Sequence, residues 1–399
     1  MKSDRSLARS VAFPRVLNIH DFRRLAKKRL PAVVFAYIDG GAEDEVTLRE
    51  NVAAFGDLDF RPRNCVAVPS CDLRTTVLGE TFELPFLLAP VGFCRMFYPK
   101  GELHAARAAN DAGTAYILST FSGTRLEEVR QGTSGTLWFQ LYVPGGRGVA
   151  EATIARAKAA GYKVLVVTID TPVSGMRERD FRYGVRPILQ GDVWGSLPYA
   201  WQFVTRPRWV LDYFADGRPN VFPNVELPGK GAMPCGDVGI LLESTIVTWE
   251  DLRWMRDAWQ GPIVVKGVHT ADDARHAMDA GAQAVVVSNH GGRQLDGVPA
   301  TLRALPEVLD AVNGRIEVLM DGGIRRGSDI VKAISVGAKA VLVGRAYAWA
   351  LGAAGGPGVA RAIEILKTDV IRTMRLLGCP SIRDLDHSYV STNTRHDCR

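Results

Sequence analysis

The hydrophobic and polar positions of the chain repeat one unit: a helix-like segment, a glycine and then a short apolar run. The unit occurs as Glu102–Asn110 before Tyr116–Ser119, Val149–Ala160 before Val164–Thr168, Ala271–Ala280 before Ala284–Ser288, and Ser328–Val336 before Ala340–Gly344. Further apolar runs are Phe86–Ala89, Leu137–Leu141, Ile263–Lys266 and Ile316–Met320. Continuous rather than alternating apolar runs are typical of parallel strands buried on both faces. The pattern therefore predicts eight parallel strands that alternate with helices.

Each predicted strand ends in polar or otherwise special residues, among them Lys266, His290 and Asp321. In a (β/α)8 barrel the carboxyl ends of all strands face one mouth, where active sites lie. A doubly wound sheet is the competing arrangement. No Gly-x-Gly-x-x-Gly follows an early strand, however, which disfavours a nicotinamide-binding Rossmann domain. We therefore predict an α/β fold of the TIM-barrel type.

Two flanking segments and one long interruption surround this repeat. We expect residues 1–80 to form a helical segment that closes the barrel, residues 81–357 the barrel, and residues 358–399 a C-terminal helix and tail. The repeat breaks between Thr171 and Trp249, so we predict an insertion at about 185–235, rich in aromatic and basic residues. Such a composition suits an element at a membrane interface. A lid over the barrel mouth is the alternative.

Composition narrows the range of partners and compartments. The chain has 399 residues, of which 47% are hydrophobic, and carries a formal net charge of +6. This charge suits acidic substrates, phosphate-bearing cofactors or anionic lipid, but it is too diffuse to suggest nucleic acid, and ordinary surface charge explains it equally well. The cysteines, at positions 65, 71, 94, 235, 379 and 398, form no Cys-x-x-Cys pair. We expect reduced thiols in a cytosolic setting, with no disulfide and no metal.

Neither a transmembrane helix nor a secretory signal is expected. The sequence contains no apolar run of 18 residues. The stretch Met1–Arg15 is basic but lacks an apolar core, which argues against a secretory signal and leaves a transit peptide as an alternative.

The most specific chemical signal is the turn Ser288–Gly297, which follows an apolar run and presents His290 and then Arg293. Histidine is the side chain best suited to move a proton near neutral pH. Arginine can hold a planar carboxylate through two hydrogen bonds. A base and a carboxylate anchor at one strand end predict an enzyme that acts on a small organic acid.

The ordered set of strand-end motifs resembles the FMN-dependent L-2-hydroxy-acid dehydrogenase and oxidase family. The resemblance extends over nearly the whole chain, from Leu30-Pro31 to Gly378-Cys379-Pro380. The matching segments are Gly41–Asp44 with Tyr37, Ala89–Gly92, Leu118–Thr120, Phe139–Val143, Thr168–Pro172 with Arg177, Val265–Gly267, Ser288–Asp296, Asp321–Gly327 and Gly344-Arg345. Any one of these glycine-containing pieces is weak by itself, but the ordered set is specific.

The resemblance assigns catalytic and substrate-binding roles. It implies that His290 is the base and that Asp170 orients it and stabilises its imidazolium form. Arg177 and Arg293 would bind the substrate carboxylate, while Tyr37 and Tyr142 would hydrogen-bond to the carboxylate or the α-hydroxyl. From the residues alone, Asp170 could equally be a helix N-cap and the tyrosines could be core residues. The charged neighbours of Arg177 in Arg177–Asp180 could form surface ion pairs.

The resemblance also implies a set of FMN-binding residues. The backbone of Pro90, Val91 and Gly92 would line the flavin ring. Ser119, Gln140 and Thr168 would hydrogen-bond to it, together with Ser288, and Lys266 would place a positive charge beside its pyrimidine end. The two late loops would bind the phosphate, as loops at this position of a barrel often do. They contribute Asp321, Gly322, Gly323, Arg325, Gly344 and Arg345.

The implied reaction is oxidation of an L-2-hydroxy acid to the 2-oxo acid, most readily L-lactate to pyruvate, with electrons passing to membrane quinone. Gly92 stands where oxidases of the family tend to carry alanine, which favours a dehydrogenase over an oxygen-using oxidase. A bulky Phe121 in a pocket wall shared with Phe93 and Ser174 favours lactate. Flanking residues such as Leu137–Val143 look closer to (S)-mandelate dehydrogenase, so that substrate stays open.

Several alternatives remain at this stage. His290 could remove the hydroxyl proton with hydride transfer, or the α-proton with a carbanion, and the sequence does not decide between them. A different FMN barrel enzyme or a catalytically inactive binding protein would not need the complete set of His290, Arg293 and Arg177. We expect a tetramer that is cytoplasmic and peripheral on the inner face of the cell membrane.

Overall fold

The fold is known from a computed structural model, which describes residue 13 and residues 15–218, 220–243 and 246–392. The expectations for residues 1–12 and for Cys398 lie outside the described residues. The other five cysteines are free thiols.

Eight parallel strands close into a barrel, in which each strand pairs with its neighbour along the chain and the last pairs with the first. The strands are Phe86–Leu88, Tyr116–Ser119, Leu137–Leu141, Leu165–Thr168, Ile263–Val268, Ala284–Val287, Glu317–Asp321 and Val341–Val343. All eight predicted apolar runs are therefore barrel strands, and the (β/α)8 fold is confirmed. The doubly wound sheet is excluded by the closure.

Helices cover the outside of the barrel and connect its strands. They are Gly101–Asp111, Leu126–Gln131, Arg147–Ala159, Asp251–Trp259, Ala271–Asp279, Thr301–Val312, Gly327–Val336 and Arg345–Leu377, with a short helix Cys94–Phe97 after the first strand. The last helix is broken at Ala354 and Gly355, where φ is −152° and 61°. The helix begins at Arg345, whereas the tail helix was predicted to begin at Gly358. The glycine-rich stretch before Gly358 lies inside the helix and bends it, rather than ending before the helix starts.

The barrel interior is filled by side chains rather than open. Alternate residues of the strands, such as Leu87, Val166 and Leu319, form one apolar cluster inside it. Val77 and Phe82 join this cluster from a hairpin, Thr75–Val77 with Glu80–Phe82, which closes the end opposite the mouth. A solid interior of this kind is general for such barrels and leaves the chemistry to the loops at the mouth.

The segment before the barrel contributes the helices Ile19–Arg29, Ala32–Asp39 and Val46–Ala53, followed by a 3-10 turn at Ala54–Asp57. Its strand Leu58–Phe60 pairs antiparallel with Val390–Thr392 near the end of the chain, after 3-10 turns at Ile382–Asp384 and His387–Tyr389. Asn18 caps the first of these helices by accepting a hydrogen bond from the Asp21 amide.

The long interruption after the fourth strand is folded. It contains the helices Glu178–Arg182, Val185–Gln190, Val193–Ser196, Trp201–Val204, Pro207–Ala215 and Val238–Glu243, 3-10 turns at Leu197–Tyr199 and Cys235–Asp237, and the hairpin Val221–Leu227 with Gly231–Pro234. Among its aromatic residues, Trp209 and Phe222 are buried, whereas Trp194 and Trp201 are exposed. Within the described residues, no helix has the length and apolarity that crossing a bilayer requires.

Candidate active site

His290 lies just beyond the sixth barrel strand, in a turn with left-handed backbone geometry. The φ angles of His290, Gly291 and Gly292 are 57°, 66° and 72°. A side chain at Gly292 would collide with the backbone of Leu48, since its Cβ would lie 2.6 Å from the Leu48 amide nitrogen. The turn therefore requires glycine, and it holds the imidazole of His290 over the barrel mouth in a strained conformation that is often found at functional sites.

His290 and Asp170, which follow the sixth and fourth barrel strands, form a partly buried pair. The Nδ1 atom of His290 lies 2.8 Å from Oδ1 of Asp170, and Gln294 donates a hydrogen bond of 2.9 Å to the Asp170 carbonyl. Asp170 is therefore bonded to the histidine and does not cap a helix among the described residues. With Nδ1 protonated toward Asp170, Nε2 of His290 is free to accept a proton, an assignment that follows from the hydrogen-bond network.

The surroundings of this pair favour a neutral imidazole next to an ionised carboxylate. Burial lowers the pKa of His290 from 6.5, although Asp170 opposes the shift. Burial alone would raise the pKa of Asp170, but His290 and Lys266 outweigh it, and that pKa lies below its usual value. The histidine is thus in the base form near neutral pH, and the carboxylate can stabilise the charge that it acquires on accepting a proton.

Two tyrosine hydroxyls border the same space. The Tyr142 hydroxyl lies 3.4 Å from Nε2 of His290. Tyr37 comes from the helix Ala32–Asp39, and the guanidinium of Arg293 lies over its ring at 4.8 Å. Burial raises the pKa of both phenols, so both carry their proton and can donate hydrogen bonds.

Arg177 and Arg293 reach this space from different loops, and both are close to the ring of Tyr37. Arg293 donates hydrogen bonds to the backbone carbonyls of Tyr37, at 2.6 Å, and Gly40, at 3.1 Å. Burial and the charge of Arg177 lower the pKa of Arg293. Asp180 is buried with an oxygen 3.6 Å from Nε of Arg177 and offsets part of the positive charge. Two guanidinium groups and one carboxylate leave a net positive site that suits an anionic ligand.

Three residues at or next to the ends of neighbouring strands form a hydrogen-bonded chain. Ser119 donates to the Gln140 side-chain oxygen at 3.1 Å, and the Gln140 amide nitrogen donates to the Thr168 hydroxyl at 3.0 Å. All three side chains are buried. This chain fixes the direction in which each polar group points.

The side chain of Lys266 lies in a buried cluster of polar groups and has partners there. Its Nζ donates to the Ser288 hydroxyl at 2.9 Å and lies 3.3 Å from Oδ2 of Asp321. Burial would lower the pKa of this lysine, but Asp321 and Asp170 outweigh it and hold it above 10.5, so the side chain is charged. The second carboxylate oxygen of Asp321 is buried with no hydrogen-bond partner in the described part of the chain. Asp321 was predicted at the phosphate, whereas here its nearest cation is Lys266.

The two late loops form a cradle for an anion. Gly322 and Gly323 have φ angles of 98° and 78°, and a Cβ at Gly323 would lie 1.8 Å from the Asn51 carbonyl oxygen. Arg325 is buried, and Arg345 donates to the backbone carbonyls of Ile38, Gly291 and Gly40.

The charges of Arg325 and Arg345 favour the binding of an anion. Within the described residues, neither guanidinium has a carboxylate within 4.0 Å. Burial lowers the pKa of Arg325 to about 10 and that of Arg345 well below its ordinary value. Buried cations without an acidic partner are costly unless a bound anion compensates them. The loops therefore fit the phosphate of FMN.

One cavity joins most of the predicted residues. It is lined by Tyr37, Pro90, Val91, Gly92, Ser119, Tyr142, Arg177, Lys266, His290, Arg293, Asp321, Gly322, Gly323, Arg325, Gly344 and Arg345, and also by the predicted pocket residues Phe93, Phe121 and Ser174. Four predicted residues do not line it. Asp170, Gln140 and Ser288 hydrogen-bond to the lining residues His290, Ser119 and Lys266, and Thr168 accepts a hydrogen bond from Gln140. The cavity as a whole fits FMN. It offers the backbone of Pro90–Gly92, hydrogen-bonding side chains, the charge of Lys266 and the phosphate cradle of the two late loops.

Sequence reasoning missed several contributors, two of which are Val238 and Asp180. Val238 lines the cavity from the far end of the insertion, and no motif marks it. Asp180 was grouped with surface ion pairs, yet it is buried beside the arginines; its spacing of three residues from Arg177 on a helix was the available signal. In the described residues no cluster of histidine, cysteine and acidic side chains could hold a metal ion.

Comparisons with known proteins agree with this geometry. A family model described as FMN-dependent dehydrogenase matches residues 26–392. The L-lactate dehydrogenase of Chromohalobacter salexigens is 42% identical over 377 residues, which cover 94% of this chain and 95% of that protein. The L-lactate oxidase of Nostoc sp. is 42% identical over 378 residues, covering 94% and 98%. A crystal structure of the monotopic membrane protein (S)-mandelate dehydrogenase matches with a TM-score of 0.88 and 37% identity, over 95% of this chain and 100% of that one.

Proposed function

The chain belongs to the FMN-dependent dehydrogenase family, and from this membership we propose that it oxidises L-lactate to pyruvate at a membrane surface and delivers the electrons to quinone. FMN is its cofactor. The observation that carries the proposal is that His290, which is paired with Asp170, lines one cavity together with Arg177 and Arg293.

The residues divide the work between binding and proton transfer. Arg177 and Arg293 bind the substrate carboxylate, which fixes the α-carbon in position. Nε2 of His290 accepts a proton from the substrate, and Asp170 stabilises the resulting imidazolium. The Tyr142 hydroxyl, 3.4 Å from that nitrogen, hydrogen-bonds to the substrate oxygen nearby.

Other residues hold the cofactor. Ser119 and the backbone of Pro90–Gly92 would hold the flavin ring, and Arg325, Arg345 and the glycines before Ile324 would bind the phosphate. Bound FMN supplies the acceptor of two electrons. The charged side chain of Lys266 would stabilise negative charge that develops beside it during the reaction. Because this cation is buried and already held in position, its surroundings need not rearrange when that charge appears.

Pocket shape supports lactate over larger acids. The Phe121 ring stacks on Tyr142 with centroids 4.9 Å apart, and it contacts Phe222 at 5.1 Å. Phe93 packs edge-on against Phe222 at 4.6 Å, so the two phenylalanine rings that line the cavity, Phe93 and Phe121, are both held in place by Phe222. A pocket narrowed in this way suits a methyl group better than a phenyl group. (S)-Mandelate is the second candidate, favoured by the structural similarity to (S)-mandelate dehydrogenase.

Steady-state kinetics with a soluble dye acceptor test the substrate. We expect kcat/KM to be at least tenfold higher for L-lactate than for (S)-mandelate, with no turnover of D-lactate. Phe121→Ala should shift the ratio toward mandelate by about tenfold or more, because the removed ring corresponds to about 1–3 kcal/mol of pocket contacts. Trp201→Ala, which removes an exposed ring of the insertion, is the matched control. A wild-type preference for mandelate would make the protein a mandelate dehydrogenase.

The acceptor is proposed to be quinone rather than oxygen. A methyl group at Gly92 would be crowded, since a Cβ there would lie 3.3 Å from Phe121 and 3.4 Å from the Tyr37 hydroxyl, so glycine keeps this position open. By the family resemblance, oxidases tend to carry alanine at this position, so glycine favours an acceptor other than oxygen. We expect the rate of oxygen consumption with L-lactate to be less than about a tenth of the rate of reduction of a short-chain quinone.

Exposed apolar side chains of the insertion support membrane contact. Val193, Trp194, Val204 and Leu211 are 76%, 83%, 77% and 71% exposed. Burying each in a bilayer interface would contribute about 1.5–3 kcal/mol. Basic residues of the same segment, such as Arg208, would contact anionic headgroups. These features support a peripheral location on the cytoplasmic face of the membrane.

Vesicle flotation tests this location. Val193→Glu combined with Trp194→Glu should reduce binding to vesicles of anionic phospholipid by more than about 100-fold, because two apolar anchors are lost and two negative charges are added. Lactate oxidation with the soluble dye should be unchanged. Undiminished binding would rule out this surface. The tetramer implied by the family resemblance is tested by light scattering in detergent.

A further inference from the structure

A second cavity lies between the insertion and the barrel, next to the catalytic one. It has a volume of about 870 Å³ and a largely apolar wall. The insertion contributes Val185, Ile188 and Val210, and the other side is formed by Val33, Val34 and Met96. The catalytic reaction as derived above uses none of these residues.

Polar contacts hold the two walls together around this space. Arg29 pairs with Asp212 at 2.5 Å, and Arg95 pairs with Asp216 at 2.7 Å. The buried side chain of Gln202 accepts a hydrogen bond of 2.7 Å from the Val33 amide. The insertion is therefore fastened to the rest of the protein at fixed points, while the apolar faces between those points stay apart.

Such a separation indicates an apolar occupant. Protein interiors pack as densely as organic crystals, and voids much larger than a water molecule are rare. Apolar walls that could collapse onto each other would do so, because contact removes apolar surface from water. A large apolar cavity kept open by polar contacts is the form expected of a binding site.

The cavity connects the catalytic site with the protein surface. Tyr37, Phe93, Ser174, Arg177 and Val238 line both cavities, so the inner end is polar and lies at the substrate site. At the other end Phe181 and Phe214 line the cavity and are 49% and 56% exposed. These two rings mark an opening on the same segment that carries the exposed Trp194.

We propose that this cavity binds a prenylated quinone, with its ring at the inner end and its chain leaving between Phe181 and Phe214. The ring oxygens accept hydrogen bonds, and Tyr37 and Arg177 are donors at that end. The prenyl chain matches the apolar wall. A phospholipid acyl chain would offer the Tyr37 hydroxyl no acceptor, since its polar group would remain at the mouth, whereas Arg177 already faces the Asp180 carboxylate. The inference rests on the proposed function, which it extends by naming where the electron acceptor binds.

The exchange balances without another reactant. The hydroxy acid loses two electrons and two protons and becomes the oxo acid, and the quinone gains the same two electrons and two protons and becomes the quinol. Because the acid and the ring use Tyr37 and Arg177 in turn, they cannot occupy that end together. The geometry thus requires the oxo acid to leave before the ring enters, as in a ping-pong sequence.

Equilibrium binding of a quinone with two prenyl units to the FMN-loaded protein tests this site. We expect about one quinone per flavin, displaced by excess pyruvate. Ile188→Trp fills the cavity and should weaken quinone binding at least tenfold. Val204→Trp places the same side chain on an exposed position of the insertion and should change binding less than twofold.

A second set of measurements separates the alternatives. Both variants should keep the wild-type FMN content and rate of anaerobic flavin bleaching by L-lactate; if Ile188→Trp does not, the smaller change Val210→Phe replaces it. Unchanged quinone binding in the filled variant would overturn the proposal. Equal retention of dodecanol, which has a chain but no ring, would also overturn it in favour of a lipid chain. Failure of L-lactate to bleach the flavin would instead refute the proposed function, independently of quinone binding.

Discussion

Replacing Asp170 by asparagine tests the role of the His290–Asp170 pair most sharply. The substitution keeps the size of the side chain but removes its charge, at an oxygen 2.8 Å from Nδ1 of His290. When His290 accepts the substrate proton, the wild-type pair becomes an ion pair. Two unit charges about 4 Å apart interact by about 4 kcal/mol at an effective dielectric constant of about 20. The amide dipole of asparagine recovers a small part of this energy.

We therefore expect the variant to lose about 3–4 kcal/mol of transition-state stabilisation, which slows the proton-transfer step by about 10²–10³-fold. The assay is the rate of flavin bleaching after anaerobic mixing with L-lactate in a stopped-flow instrument. Glu178→Gln, which neutralises an exposed carboxylate of the neighbouring loop, is the matched control and should change the rate less than twofold.

The pH dependence provides a second, independent readout. The base must be neutral, so the wild-type rate should rise with pH through the pKa of His290, which burial places below 6.5, and level off above it. Asp170 raises this pKa, so its loss should move the rising limb to lower pH while the plateau falls. A plateau within fivefold of wild type, or a limb displaced to higher pH, would refute the assigned role of Asp170.

Three further substitutions test the rest of the site. Arg293→Lys keeps the charge but loses two-point contact, so the KM for L-lactate should rise about 10–100-fold; an unchanged KM would show that Arg177 alone holds the carboxylate. Arg325→Met should weaken FMN binding about 10–100-fold, measured as flavin fluorescence released on dilution, and retained affinity would exclude Arg325 from the phosphate site. Gly92→Ala places a methyl group 3.3 Å from Phe121, so we expect a three- to tenfold higher KM, and a lower KM would contradict the packing described here.

The barrel could be predicted from sequence because its strands are buried on both faces. Predicted and observed strands differ by no more than two residues at either end, as with Ile263–Lys266 against Ile263–Val268. Among the helices that the pattern of helix, glycine and strand did not identify are Asp251–Trp259 and Thr301–Val312. Both end at a left-handed residue other than glycine, Gln260 and Asn313, and the second contains Pro306.

Parts of the site depend on contacts that no local pattern encodes. The pairing of Lys266 with Asp321 joins the fifth and seventh strands, and it requires the register of the closed barrel. Burial of Asp180 follows from the way the insertion folds back over the mouth. The cavity behind it depends on pairs such as Arg29 with Asp212, which are 183 positions apart in the chain. The residue roles inferred from the family resemblance stay predictions until variants are measured.

Anaerobic titration of the purified protein with L-lactate tests the central claim most directly. The account predicts a yellow protein with one FMN per chain, whose absorbance bleaches completely with one pyruvate formed per flavin, and a His290→Gln variant that binds FMN equally but bleaches at least 100-fold more slowly. A protein that binds no flavin, or a variant that bleaches at the wild-type rate, would contradict it.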